Sequence, residues 1–428
     1  MAAHLDWGLL PNARSLIGLL AIIVVCGAFS ERRGSLPGWR WIAGAVALQF
    51  ALAVVLIKAP PVWAALSIAN DGLGVLQTAT DKGARYMFGY LAGGDLPFAV
   101  KPGAQPPLII AFQILPLVIV TSALAALLWH WGVLKRIAMG LGWLLERTLG
   151  IGGAVALNAG GNVFLGVVEA PLIVRAYLLH VSRAELFAMM VLGMSTVSGV
   201  VLVLYSQTLK LVVDNAFGHI ITASLICLPA SLLIARLLVP GDEATPADRT
   251  DEDLKFDNSI DAIIRGTMDG LQLFLAIIAV LIVVFALVAL TDSILGLAPD
   301  IWGAPLTLQR LFGWIFAPLM WLLGVPWVDA QTAGSLMGTK AILNEYVAYQ
   351  QMAALGPDAL SPRGQLITLY ALCGFANLAS IGLGVSTLST LCPARRGEIA
   401  ALGFKSWVAG NLATMMVGSV IGVLTISA

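Results

Sequence analysis

Stretches free of Asp, Glu, Lys and Arg recur along this chain at lengths near 20 residues, which is what an α-helix needs to cross the hydrocarbon core of a bilayer. Seven are clear, at 15–30, 107–129, 186–209, 215–235, 270–291, 365–394 and 406–428, and an eighth at 41–57 is marginal. The first is well flanked at both ends and no A-x-A-like site follows it, so it reads as a span rather than a cleaved leader. Two further apolar stretches fit spans poorly. Residues 61–93 carry scattered charges and read as amphipathic helices lying on the membrane surface, while 311–328 holds Pro318, Pro326 and three tryptophans, as interfacial segments do.

Lys and Arg in short loops set the orientation. Arg32, Arg33 and Arg40 follow the first span, and later clusters contain Lys135, Arg136 and Arg147, then Arg175 and Arg183, then Arg395, Arg396 and Lys405. Eight spans with both termini on the outer side of a cell (inner) membrane place every cluster in the cytoplasm. The acidic stretch within 239–269 reads as a cytoplasmic linker between two halves. The expected organisation is a scaffold-side segment at 1–95, a first repeat at 96–238, the linker, and a second repeat at 270–428.

Residues 148–168 are charge-free but contain six glycines and two asparagines, and Glu169 follows at once. A plain spanning helix does not tolerate this, because each backbone group freed in lipid costs several kcal/mol. The better reading is a re-entrant helical hairpin, 148–180, turning at Gly166 part-way through the membrane. The span after it (184–209) carries Ser195, Thr196, Ser198 and Gly199 mid-segment and is expected to be interrupted. The second half repeats the pattern with a hairpin at 329–355 containing Glu345, an interrupted span at 365–390 with Asn377 at its centre, and a last span at 404–426. Glu345 lies 176 residues after Glu169, and Asn377 lies 181 after Thr196. Two opposed hairpins, each with an acid and each followed by an interrupted helix, form the inverted repeat of a secondary transporter, whose substrate and coupling ion meet near the midplane.

Composition narrows the picture. Charged residues make up 11% of the 428 and hydrophobic ones 59%, against about 25% charged in a soluble globular chain. That excludes a soluble enzyme and a disordered protein. Lys plus Arg balances Asp plus Glu at 24 each, so no net field draws nucleic acid. Cys26, Cys227, Cys373 and Cys392 are far apart in apolar surroundings and read as packing residues. No HExxH, P-loop or facing aspartate pair is present, so no catalytic residue or organic cofactor is expected. Nor is there a ring of like charges to line a passive channel.

A carboxylate inside a membrane costs about 2.5–3.5 kcal/mol on insertion scales, so Glu169 and Glu345 need a purpose. Ion pairing with Arg175 and Lys340 is the structural alternative. Asn162, Asn344 and Asn377 could serve as interhelical hydrogen-bonding groups, and Gly160 and Gly161 as points of close helix approach.

These runs carry a resemblance. GGNVFLGVVEAPLIVRAYL, STVSGVVLVLY, GTKAILNEYVAY and YALCGFANLASIG, with FAPLMWLLGVPW in support, resemble the concentrative nucleoside transporter family across essentially the whole chain. The resemblance implies an all-α integral membrane fold of eight transmembrane helices, two opposed re-entrant hairpins and interfacial amphipathic helices. It also implies a homotrimer in the lipid bilayer, in which a transport domain moves, elevator-fashion, against a scaffold. The implied activity is nucleoside import by symport with sodium; a proton is the alternative coupling ion. By the same resemblance, Asn162 and Thr196 side chains and the carbonyls of Leu165, Thr196 and Val197 would hold sodium. Glu345, Asn377 and Ser380 would hold the ribose, and Gly166, Glu169, Val201 and Phe375 would surround the base. One position departs from the family. The tip reads Gly166-Val167-Val168-Glu169 where family members with a described base site carry Gly-Gln-Thr-Glu or Gly-Gln-Ser-Glu, so two base-reading polar side chains are valines here.

Overall fold

The computed structural model describes residues 11–98, 109–167, 170–210, 212–241, 245, 256–301, 303–356 and 358–425. These form eighteen α-helices: α1 Pro11–Ala28, α2 Trp39–Lys58, α3 Pro60–Phe88, α4 Ile110–Gln113, α5 Pro116–His130, α6 Val133–Leu149, α7 Gly153–Asn162, α8 Ala170–Ile173, α9 Arg183–Ser195, α10 Gly199–Leu209, α11 Ala216–Leu238, α12 Ser259–Leu295, α13 Leu308–Leu322, α14 Trp327–Ile342, α15 Glu345–Leu355, α16 Pro362–Leu372, α17 Leu378–Leu391 and α18 Arg396–Leu424. Seven helical runs are long and apolar enough to cross a membrane, and each falls on one of the expected stretches. The stretch at 365–394 is the remaining one, and it is broken into α16 and α17.

Three of these stretches take a more definite form. Residues 61–93 fall mostly in one continuous 29-residue helix, Pro60–Phe88, where several were expected. Its charges fall at intervals a helix accommodates, as where Gln77 donates to Asp81 one turn on. Within the stretch read as a linker, 239–269, α12 already starts at Ser259. Asn258 caps it by accepting from the Ile260 and Asp261 amides, and Asp261 pairs with Arg265 one turn later. Residues 311–328, expected to be interfacial, fall on α13 and the bend that follows it. Helix α13 bends by 120° into α14 and packs along it, with Gly334 against Phe316 and Ala317 and Gly338 against Phe312.

Two ends of the bundle are pinned differently. At one, Glu31 pairs with Arg183 and Lys405, and Arg183 and Arg395 pair with Glu398. Burial pushes the Glu31 carboxyl up, but the Arg183 and Lys405 contacts outweigh it and hold it below the usual carboxylate range. Three of the basic segments expected on one side of the membrane therefore meet in one ionic network. At the other end, buried Arg363 donates to Asn12, Ser15 and the carbonyls of Gly324, Gly422 and Thr425, and buried Arg14 donates to those of Gly324 and Val325. Helix α9 starts at the first end, behind a Ser182–Glu185 capping box, whereas α16 starts at the second, behind Ser361. The two interrupted helices run in opposite directions, as an inverted repeat requires.

The core lies where α9, α11, α16 and α18 pack. In the most apolar window of α11, 83% of residues are buried, against 6% in α12, which is peripheral. The breaks of the two interrupted helices cross at its centre, where Gly374 faces the Ser195 carbonyl. A Cβ on Gly374 would sit 2.6 Å from both that oxygen and Thr414 Cγ2. Gly374→Ala should therefore lower stability by about 1–3 kcal/mol, the usual cost of overpacking, read as a lower thermal midpoint in detergent. An unchanged midpoint would show that the crossing yields freely.

Candidate functional site

Helix α7 ends at Asn162, and the chain turns with Gly166 at φ +90°, in the region that favours glycine. Gly160 faces the Ala138 carbonyl of α6 and Gly161 faces Ala170 and Ile173 of α8, so both glycines permit close approach. The turn rests on the break between α9 and α10, where the Gly199 amide donates to the Phe164 carbonyl at 3.2 Å.

This junction collects neutral oxygen atoms. Asn162 is buried and its Nδ2 donates to Asn158 Oδ1 at 2.9 Å, which leaves Asn162 Oδ1 buried without a hydrogen-bond partner among the described residues. Thr196 is buried, with its hydroxyl donating to the Leu192 carbonyl at 2.8 Å. Val197 exchanges weak bonds with Ser224 of α11. Two helices, α7 and α9, end here, and the carbonyls at helix C-termini carry partial negative charge. An orphaned amide oxygen, a hydroxyl and backbone carbonyls are the donors a small hard monovalent cation takes. Among the described residues no group of three His, Cys, Asp or Glu stands together as a transition-metal site would need.

The second polar cluster belongs to α15 and α17. Asn344 caps α15 by accepting from the Val347 amide at 2.8 Å. The next residue, Glu345, is buried; Tyr205 Oη donates to its Oε1 at 2.6 Å and Asn377 Nδ2 to its Oε2 at 3.0 Å. Asn377 caps α17, its Oδ1 accepting from the Ser380 amide at 2.9 Å and the Ser380 hydroxyl at 3.0 Å. The ion-pair alternative for Glu345 is not realised. Lys340 directs its ammonium to Asn411 and Thr414 of α18 instead.

A cavity of about 400 Å³ separates this cluster from the turn after α7. It is lined by Gly166, Val167, Val201, Glu345, Phe375, Asn377 and Ser380, and by Leu165 from the expected ion set. Val168 and Glu169 lie outside the described residues. The polar side chains sit mainly on the α15–α17 side, and the valines, Phe375 and Leu273, Ile277 and Val280 of α12 make the rest apolar. The sequence reading missed Tyr205, although it stands one helical turn after Val201 and so on the same face. It also missed Asp269, which looked like part of the acidic linker.

The chain matches three family descriptions: "Na+ dependent nucleoside transporter N-terminus" over residues 17–91, "Nucleoside recognition" over 111–211 and "Na+ dependent nucleoside transporter C-terminus" over 219–422. An uncharacterized transporter of Haemophilus influenzae is 33% identical over 95% of this chain and 96% of its own. Nucleoside permease NupC of Helicobacter pylori is 30% identical over 95% and 96%. The structure of CNTnw in an inward-facing substrate-bound state superposes with a TM-score of 0.86 at 36% identity, covering 96% of this chain and 98% of that one.

Tyr205→Phe removes a donor from a buried carboxylate, and hydrogen bonds to charged groups are worth about 1.5–3 kcal/mol. A loss of that size in folding stability is expected, measured by thermal unfolding in detergent without ligand. A wild-type midpoint would mean that Glu345 is held by Asn377 alone.

Proposed function

Since the chain belongs to the sodium-dependent nucleoside transporter family, we propose that it is a secondary active symporter that imports nucleosides on a sodium gradient by elevator-type alternating access. The observation that carries this reading is the pairing of one cavity with one cation cradle. The Glu345–Asn377–Ser380 cluster and the turn after α7 face each other across about 400 Å³, and the buried unpaired Asn162 Oδ1 stands at the end of the helix that leads into that turn.

In this reading Glu345 accepts from ribose hydroxyls with the lone pairs that Tyr205 and Asn377 leave free, and the Ser380 hydroxyl adds an acceptor. Tyr205 and Asn377 fix the carboxylate before substrate arrives, so little ordering is left for binding to accomplish. The base then lies towards Val167, Val201 and Phe375, with Val168 and Glu169 also assigned to that end. Sodium is cargo. Asn162 and Thr196 side chains and the Leu165, Thr196 and Val197 carbonyls hold it, where the ends of α7 and α9 concentrate partial negative charge. Because the turn after α7 borders both ion and nucleoside, an ion bound first orders a wall of the nucleoside site. That is the physical basis of coupling.

The remaining assignments follow the same reading: a homotrimer in the cell (inner) membrane, both termini on the outer side, with 1–95 in the scaffold, repeats at 96–238 and 270–428, and a cytoplasmic linker between them. CNTnw, solved both inward-facing and outward-facing, supports the elevator motion by similarity.

Reconstituted protein should accumulate labelled uridine or inosine only under an inward sodium gradient. Asn162→Ala should raise the sodium concentration for half-maximal uptake at least ten-fold. Uptake that ignores sodium and follows an imposed pH gradient would sink the sodium assignment.

Base selectivity is the second test. A pocket that hydrogen-bonds a base rejects analogues by large factors, whereas apolar fit is worth only about 1–3 kcal/mol. With valines at 167 and 168, purine and pyrimidine nucleosides should compete within about ten-fold of each other, and Val167→Gln with Val168→Thr should shift preference towards uridine. Hundred-fold exclusion of adenosine and inosine by the wild type would place base recognition elsewhere.

A further inference from the structure

The two repeats treat their cation positions differently. Asn162, the last residue of α7, has Lys340 as its counterpart in the last turn of α14, 178 residues later. That spacing falls between the 176 that separates the hairpin acids and the 181 that separates the polar centres of the interrupted helices. The receiving helices correspond as well. Ser231 of α11 contacts Ser195 at the break of the first interrupted helix at 2.5 Å. Asn411 of α18, 180 residues after Ser231, donates to the Ala376 carbonyl in the break of the second at 3.1 Å.

The Lys340 side chain is fully buried. Its ammonium donates to Asn411 Oδ1 and Thr414 Oγ1, both at 2.9 Å. Both partners are neutral oxygens, and among the described residues no carboxylate comes within ion-pair distance of it. A buried ammonium held only by neutral oxygens is costly, so its place here calls for a function. Its surroundings reproduce those of the first repeat: the end of a hairpin helix, whose dipole favours positive charge, beside the break of an interrupted helix, against neutral side-chain oxygens.

We propose that Lys340 is a tethered cation, occupying in the second repeat the position that a free cation occupies in the first. The proposal rests on the assignment of Asn162 to the coupling ion. Each hairpin carries one acid, Glu169 or Glu345, and each needs one positive charge to pass through a low-dielectric region cheaply. The second repeat carries its own, permanently. The first takes its charge from solution, so nucleoside movement is coupled to one exchangeable cation, loaded at the first hairpin only. The tether also fixes α14 to α18 and, through Asn411, to the break before α17, where Asn377 is positioned.

The test exchanges the two kinds of cation in the full-length reconstituted protein, with labelled uridine and inosine as probes. Lys340→Asn leaves Asn411 and Thr414 facing a third neutral oxygen. Uptake should then require more sodium, with a Hill coefficient rising from near 1 towards 2 and charge moved per nucleoside rising with it. Lys340→Met, which cannot hold an ion, should lose uptake at least ten-fold at any sodium concentration. Asn162→Lys should bind nucleoside without sodium, read as thermal stabilisation by uridine or inosine in choline buffer. Wild-type sodium dependence in Lys340→Asn and Lys340→Met would overturn the proposal, as would nucleoside binding by Asn162→Lys that still needs sodium. Failure of both Lys340→Asn and Asn162→Lys to fold, even in high sodium, would overturn it too, since the proposal requires each site to accept either kind of cation. The ion-site assignment fails by a different result, sodium-independent uptake by the wild type, so the two failures are distinguishable.

Discussion

In a membrane, a helix that breaks exposes amide and carbonyl groups to a medium that offers them nothing, and this constraint shapes the centre of the protein. Two helices are interrupted, between α9 and α10 and between α16 and α17. The protein resolves both interruptions with its own groups. The Phe164 carbonyl accepts from the Gly199 amide, Ser224 holds Val197, and Asn411 holds the Ala376 carbonyl. The breaks could not lie apart, facing lipid. They cross, with Gly374 against the Ser195 carbonyl.

The polar centre follows from that crossing. Groups that satisfy broken backbone are polar and buried, so they also build a site. Asn377 is both the cap of α17 and the partner of Glu345, and Asn344 caps α15 while lining the cavity. A single side chain thus ends a helix and lines the cavity, which is why the cavity has its polar wall at helix starts. The other wall comes from α10, α12 and the turn after α7, where α10 starts without a side-chain cap, and apart from Ser198, Tyr205 and Asp269 it is largely apolar.

The ends of the bundle hold this centre in place by different means. Glu31, Arg183, Arg395, Glu398 and Lys405 form a partly exposed ionic network, of a kind whose individual pairs contribute little. At the opposite end Arg14 and Arg363 are buried against carbonyls at the ends of α13 and α18. There the arginines serve as C-terminal caps, and removing Arg363 would take the side-chain donor from the Gly422 and Thr425 carbonyls.

Much of this was legible in the chain itself. Hydrophobic length alone located the spans, because bilayer thickness leaves a helix little choice. Glycine and asparagine in residues 148–168, and Glu345 in a segment too polar to span, marked both hairpins, since those residues are too costly in lipid to be accidental. The inverted repeat could be counted from acid to acid. What the sequence could not supply was partnership. Nothing in the spacing distinguished Lys340 paired with Glu345 from Lys340 held by Asn411 and Thr414, some seventy residues further on. Nor did it show that Tyr205 and Asn377 would reach Glu345 from two other helices. The acidic stretch concealed the start of α12, because charge predicts exposure and not whether exposed residues are helical. Periodicity and length are local properties that solvent imposes residue by residue. Which buried polar group meets which is set by how helices distant in sequence cross, and only the tertiary structure decides it.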